Sequence, residues 1–220
     1  VLFEEGIDRI YDVFAYEDEF RSVDAEIARF ADTMAPFRGS SRMFIRSLGE
    51  WLREQRPEGR SLIATCAEYG VPIFIPALGD SSIGIGLVMA RRCGVDVDVD
   101  QLADTDEITR MVEESQKTGV IYVGGGVPKN FIQQTQVIAS IHEQHLGGHA
   151  YAIQYTTDAP HWGGLSGCTF EEAISWGKEA LDSPRVQCFC DATISLPIVV
   201  SGLIGSGVER TKTKRDSPLL

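Results

Sequence analysis

From Gly163 to Lys178 the chain reads GGLSGCTFEEAISWGK, a glycine-rich loop followed by a helical pattern that delivers one lysine beside one tryptophan. A lysine held against apolar surface loses hydration of its charged form, so its pKa falls and neutral amine becomes available. Neutral amine is the species that forms imines (Schiff bases). Thr169 and Glu172 have capping-box spacing, which predicts a helix from Phe170 to about residue 182. Phe170, Ala173, Ile174, Gly177 and Leu181 recur at helical period as its core face, with Lys178 at the edge of that stripe. Trp176 and Glu172, four apart, share a neighbouring face. The plainer alternative for Lys178 is a solvated cation near a helix end, where it suits the dipole.

Other runs carry weaker chemistry. GGGVPK, Gly124 to Lys129, departs from G-x-G-x-x-G because Lys129 stands at the third glycine, and it lacks the G-K-[ST] of a P-loop. Gly164-Leu165-Ser166-Gly167-Cys168 lacks the last glycine of a nucleophile elbow, which argues against a hydrolase using His161. His142-Glu143-Gln144-His145 is one residue short of a zinc-protease helix. Together with His149 it reads as solvated histidines near a helix end, and no metal is expected. Cys188 and Cys190 alternate along a strand as core residues.

Periodicity gives the elements that must position these groups. Residues 1 to about 37 read as helical and irregular. Ser40 or Ser41 caps a helix that Pro57 and Gly59 end, and Ser61 to Glu68 forms a short helix closed by Gly70. Beyond it, β-rich runs at Val71–Ile75, Val95–Val99, Val120–Val123, Tyr151–Tyr155 and Val186–Phe189 alternate with helical patterns. Those helices fall at about 83–92, 102–117, 131–145, 169–182 and after Asp191. Such alternation predicts an α/β fold with a parallel sheet, because parallel strands need crossover connections. VDVDVD, Val95 to Asp100, suits a sheet edge with one polar face. The expected organisation is a mostly helical N-terminal part over 1–70, an α/β core over 71–205 and a flexible tail over 206–220.

In parallel sheets ligands bind at the carboxyl ends of the strands. Gathered there are Asp80, Gly124, Gly125 and Gly126, Thr157 and Asp158, then Asp191 and Ala192. Carboxylates accept from ribose hydroxyls, glycines let the backbone approach a ligand, and a following helix offers its amino end to phosphate. Singly, each has a plainer reading as a turn or a helix cap. Together they predict a nucleotide-type site.

The 220 residues are 43% hydrophobic and 24% charged, enough for one sizeable globular core. No apolar run approaches the roughly 20 residues of a membrane span and no signal-peptide pattern opens the chain. Five cysteines without framework spacing suggest reduced thiols and a cytoplasmic location. A net charge of −12 argues against nucleic acid and anionic membrane as partners and suits a cationic small molecule or a basic protein. The chain opens on Val-Leu-Phe-Glu-Glu without methionine, so further residues are expected before it.

GGGVPK, then EEAISWGK about 45 residues on, then FCDAT together resemble the deoxyhypusine synthase family, over about Gly70 to Leu196. The resemblance implies a Rossmann-like, doubly wound, mostly parallel sheet with helices on both faces. It also implies NAD at a subunit interface and a homotetramer built as a dimer of dimers. In that family NAD oxidises a secondary amine of spermidine to an imine, and the SWGK lysine takes up the aminobutyl group. That group passes to an acceptor amine and is reduced. The acceptor is a protein lysine in the parent enzymes and putrescine in the related homospermidine synthases. On this resemblance Lys178 is the imine-forming lysine, Trp176 the aromatic wall of the amine tunnel, and Glu172 an acid lining it. Gly163 and Asn130 fall beside the substrate. Asp80, Gly125, Thr157, Asp191 and Ala192 match positions beside NAD, and Gly124, Gly126 and Asp158 adjoin them on the strand-end rim as further cofactor-binding candidates. In the family, residues preceding Val1 carry further cofactor contacts and a plug for the neighbouring site.

The chain departs from the family where charge matters. Ile85, Trp162 and Leu165 replace acids, and Asn130 replaces a histidine. Each lost charge-assisted contact costs about 1.5–3 kcal/mol, roughly ten- to more than a hundredfold in affinity. The expectation is imine chemistry kept and substrate recognition rebuilt, for an amine that is less charged or carries a guanidinium. A catalytically idle regulatory paralogue and a homospermidine synthase are the alternative readings.

Overall fold

Phe30, Phe37 and Phe44 come from three successive elements and meet in one cluster. The Phe44 ring lies 5.3 Å from Phe30 and 5.5 Å from Phe37, both close to edge-to-face, as ring quadrupoles favour. In the computed structural model, which describes residues 1–141 and 146–208, this cluster is the centre of a first unit, Val1–Asp104. A second unit begins at Thr105.

The first unit opens with an antiparallel hairpin, β1 (Ile7–Ile10) and β2 (Val13–Tyr16), where only helical and irregular structure was expected. Tyr11 takes a left-handed φ of 56°, which lets a two-residue turn close the hairpin. There follow α1 (Glu17–Met34), β3 (Phe37–Gly39), α2 (Ser41–Gln55), α3 (Leu62–Tyr69), α4 (Ser82–Arg92) and β4 (Val97–Val99). The hydroxyls of Ser40, Ser61 and Ser81 accept from the N–H groups of Met43, Ala64 and Gly84, so α2, α3 and α4 each start on a side-chain cap. Gly86 lets α4 approach α1 closely, since a Cβ there would stand 2.7 Å from the Ile27 Cβ.

β3 and β4 pair in parallel. In β4 Val97 is buried while Asp98 faces solvent, the alternation that VDVDVD predicts. Val71–Ile75, expected as a strand, joins no ladder among the described residues. Its Ile73 and Ile75 pack on the core. The Ile75 N–H donates to Ser41 Oγ and its carbonyl accepts from Gln101 Nε2, so side chains supply the partners that a neighbouring strand would have provided.

α5 (Gln101–Glu113) runs across the junction in sequence between the units. The second unit continues with β5 (Gly119–Val123), α6 (Gly126–Ile141), β6 (Tyr151–Tyr155), α7 (Phe170–Ser175), β7 (Arg185–Cys188) and α8 (Ala192–Gly205). β5, β6 and β7 lie side by side in that order and all run parallel. Their inward residues, among them Val120, Tyr122 and Ala152, pack with Phe170 of α7. The class is thus α/β with parallel pairing, and the described strands form three small sheets. His142 to His145 and residues 209–220, hence most of the expected tail, lie outside the described residues.

Phe44, 1% exposed, is the most enclosed of the three rings. Phe44→Ala should lower unfolding free energy by about 3–5 kcal/mol, read from urea denaturation. A loss below about 1 kcal/mol would show that the cluster collapses freely around the gap.

Candidate active site

α7 is shorter than the sequence pattern suggests, ending at Ser175 rather than near 182. The cause is Gly177, at φ 70°. Its N–H donates to the Ile174 carbonyl, and the Lys178 N–H reaches back to Ala173 O at 3.0 Å. These two bonds are a Schellman turn, which ends a helix and sends the chain off in a new direction. Lys178 therefore leaves the helix at a bend, Glu179 forms an isolated parallel bridge with His149, and Leu181, expected on the helix's core face, is exposed. Thr169 caps α7 as predicted, its hydroxyl accepting from the Glu172 N–H at 3.2 Å.

The turn aims Lys178 at α6. Lys178 Nζ donates to Asn130 Oδ1 at 3.2 Å and lies 5.5 Å from the centre of the Trp176 ring, within range of a cation–π contact. Trp176 is two-thirds exposed. A cavity of about 440 Å³ opens beside them, with Gly163, Leu165, Cys168, Glu172, Trp176 and Lys178 among its walls. The five residues placed on the substrate side by sequence thus gather here: Lys178, Trp176, Glu172 and Gly163 line the cavity, and Asn130 holds the lysine. Leu165 is an apolar part of the wall, and Trp162 is exposed nearby in sequence.

The second-unit residues placed on the cofactor side lie at the carboxyl ends of adjacent parallel strands. Gly124, Gly125 and Gly126 follow β5, Thr157 and Asp158 follow β6, and Asp191 and Ala192 follow β7. The Gly124 N–H donates to Tyr155 O at 2.7 Å, binding the first loop to the second strand. Gly125 is required by space, because a Cβ would stand 2.5 Å from Ser166 Cα in the glycine-rich loop. Asp191 caps α8. The Thr193 hydroxyl and N–H both donate to it and hold its carboxyl below the usual range. Asp80 closes a short 3-10 turn in the first unit and is exposed.

Beneath this rim lies a buried polar layer that the sequence patterns missed. Lys129, read only as an intruder in a glycine motif, is 2% exposed. Its Nζ donates to the Cys168 carbonyl at 2.7 Å and to Gln154 Oε1 at 3.0 Å. Burial pushes its pKa down. Gln154 in turn donates to the carbonyls of Gly124 and Ser166 and accepts from Gln187. The signal available in sequence was Gln154 itself, a polar residue fourth in YAIQY where a parallel strand should be apolar. Alongside, Glu179 and Tyr122 are buried together, and His149 shares a 2.8 Å hydrogen bond with Thr118.

A model of the deoxyhypusine synthase family matches residues 1–203. The probable deoxyhypusine synthase 2 of Methanosarcina acetivorans is 59% identical over 202 residues, 92% of this chain and 59% of its own length. A protein of the same description from Archaeoglobus fulgidus is 52% identical, over 93% of this chain and 66% of its own. The deoxyhypusine synthase-like protein of Chlorobaculum tepidum is 41% identical, over 90% and 57%. The chain belongs to the deoxyhypusine synthase family. It spans roughly 60% of the length of these relatives.

Burial drives His149 down to about 4. Between about pH 6.5 and 4 the unfolded chain binds a proton that the folded chain refuses. His149 therefore costs stability as pH falls through that window, up to about 3 kcal/mol. Glu179 acts oppositely, because burial raises its pKa and makes the folded state the better proton binder above 4.5. In His149→Gln the urea midpoint should fall less from pH 6.5 to 4 than in the wild type. Parallel slopes would mean that His149 titrates as a solvated histidine.

Proposed function

We propose that this protein is an NAD-dependent transferase that moves an alkylamine group of aminobutyl type from a polyamine or related amine to an acceptor amine. The transfer runs through an imine on Lys178. The observation that carries it is Lys178 itself, turned by Gly177 into a cavity between an aromatic face and one carboxylate. Membership of the deoxyhypusine synthase family supports the same reading. The small parallel sheets then belong to a doubly wound, Rossmann-like layout with helices on both faces.

The strand-end residues fit NAD. Gly124 and Gly126 have open space where a Cβ would be, so backbone can lie against a flat ligand. α6 and α8 start at Gly126 and Ala192, offering N–H groups to a diphosphate. The Asp191 carboxylate stays ionised and suits a ribose hydroxyl, with Thr157 and Asp158 on the neighbouring strand end. NAD would accept a hydride from the donor amine and return it at the end, so the cycle is redox-neutral.

Within that cycle the chain's own residues bind and position. Glu172 attracts the cationic end of the amine, and Trp176 covers its alkyl part. Asn130 holds the Lys178 amine through its oxygen. Lys178 Nζ bonds to the imine carbon of the oxidised donor, and the remainder of the donor leaves as a free amine. The acceptor amine then displaces Lys178 by the same exchange, restoring the lysine. Leu165, where the resemblance implies an acid, favours an amine less charged than spermidine, or one bearing a guanidinium. The acceptor is a small amine or a protein lysine, and the assembly is a cytoplasmic homotetramer, a dimer of dimers.

The test uses full-length protein with NAD and a panel of polyamines and guanidino-amines, trapped with borohydride and mapped by peptide mass spectrometry. Added mass on Lys178 is expected, lost in Lys178→Ala and Lys178→Arg while NAD binding persists. Transfer undiminished in both variants would overturn the role of Lys178. Absence of any adduct while NAD still binds would favour the idle regulatory paralogue.

A further inference from the structure

Lys178 and Glu179 are consecutive, yet α6 grips both from residues one turn apart. Asn130 accepts from the Lys178 amine, and Gln133 Nε2 donates to Glu179 Oε1 at 3.4 Å. The Tyr122 hydroxyl, from β5, donates to the same oxygen at 2.8 Å. Glu179 is 2% exposed, and its other oxygen has no partner among the described residues. A carboxyl buried in this way is costly, so its place directly after the lysine calls for a reason. The main chain there is equally constrained. His149 donates its N–H to the Lys178 carbonyl at 3.1 Å, and its own carbonyl accepts from Ala180 at 3.0 Å. Gly148 lies so close that a Cβ on it would stand 2.4 Å from the Glu179 carbonyl carbon.

We infer that Glu179 is a positioning residue for Lys178. Its buried carboxyl, held by Tyr122 and Gln133, locks the segment that follows the Schellman turn, so that the lysine amine is presented to the cavity beside Asn130. Glu179 touches neither substrate nor cofactor in this role. The inference rests on the imine reading of Lys178 and goes beyond it, because it assigns the lysine's direction to a group on the far side of its own main chain. A purely space-filling side chain would satisfy the packing but not the two donors, Tyr122 and Gln133.

The experiment measures lysine reactivity without NAD or amine substrate. Full-length wild type, Glu179→Gln, Glu179→Met and Tyr122→Phe are treated with butanal and cyanoborohydride, and labelling of each lysine is followed by peptide mass spectrometry. Lys117 is exposed and serves as the internal standard, while Lys129, almost fully buried, reports unfolding. Wild-type Lys178 should label faster than Lys117. Glu179→Gln should keep that advantage, since its amide oxygen still accepts from Tyr122. Glu179→Met should slow Lys178 by about tenfold, the equivalent of one buried hydrogen-bonded contact, with Lys129 still protected. Lys178 labelled at the wild-type rate in Glu179→Met, with Lys129 protected, would overturn the positioning role alone. If Glu179→Met exposes Lys129, Tyr122→Phe decides: slowed Lys178 labelling supports the role, and an unchanged rate overturns it. Wild-type Lys178 labelled no faster than Lys117 would overturn the imine reading and this inference with it.

Discussion

The second unit depends on how one buried ammonium is satisfied. Lys129 enters from α6, and its two hydrogen bonds join that helix to β6 and to the glycine-rich loop before α7. Its remaining face lies against the rings of Tyr122 and Phe170, 5.5 and 5.9 Å from their centres. An unpaired charge at this depth would be expensive, so the carbonyl of Cys168 and the amide of Gln154 must be where they are. Fixing Cys168 fixes one wall of the cavity. Fixing Gln154 fixes the loops after β5 and β6, whose carbonyls it bonds.

The site above this layer is built by turns more than by regular elements. Glycine at 177 allows the left-handed residue that ends α7, and the same turn directs Lys178 away from the helix and toward Asn130. Gly125 permits the loop after β5 to touch the loop at Ser166. The bonds of the turn and the approach of Gly125 to Ser166 Cα are main-chain contacts, insensitive to rotamer; on the proposed imine reading, such rigidity presents the lysine amine in one orientation. The cavity walls are mixed: Leu165 and Trp176 give apolar surface, and Glu172 a single charge at one side.

Much of this was legible in the residues. Serine caps, the closing Gly70 and the alternation in VDVDVD depend on neighbours in sequence and reappear in the structure. The glycines, hydroxyl and carboxylates expected at strand ends do follow β5, β6 and β7, whereas Asp80 follows no strand directly. The N-terminal hairpin was hidden because its turn rests on Tyr11 in a conformation that non-glycine residues seldom adopt. Val71–Ile75 has strand composition but no strand beside it, and composition cannot report whether a partner exists. The overlong α7 came from counting Leu181 into a helical stripe when Gly177 had already ended the helix.

By itself the sequence determined the α/β alternation, the family and the small set of residues, Lys178 foremost, proposed to carry the chemistry. Those follow from residue type and local spacing, which the chain holds without folding. Only tertiary structure decided that Lys178 faces Asn130, that Lys129 is an internal tie rather than a surface cation, and that Glu179 is buried against Tyr122. Each of these joins residues about 25 to 60 positions apart, and the burial that gives them their meaning exists only once β5, β6 and the helices have closed over them.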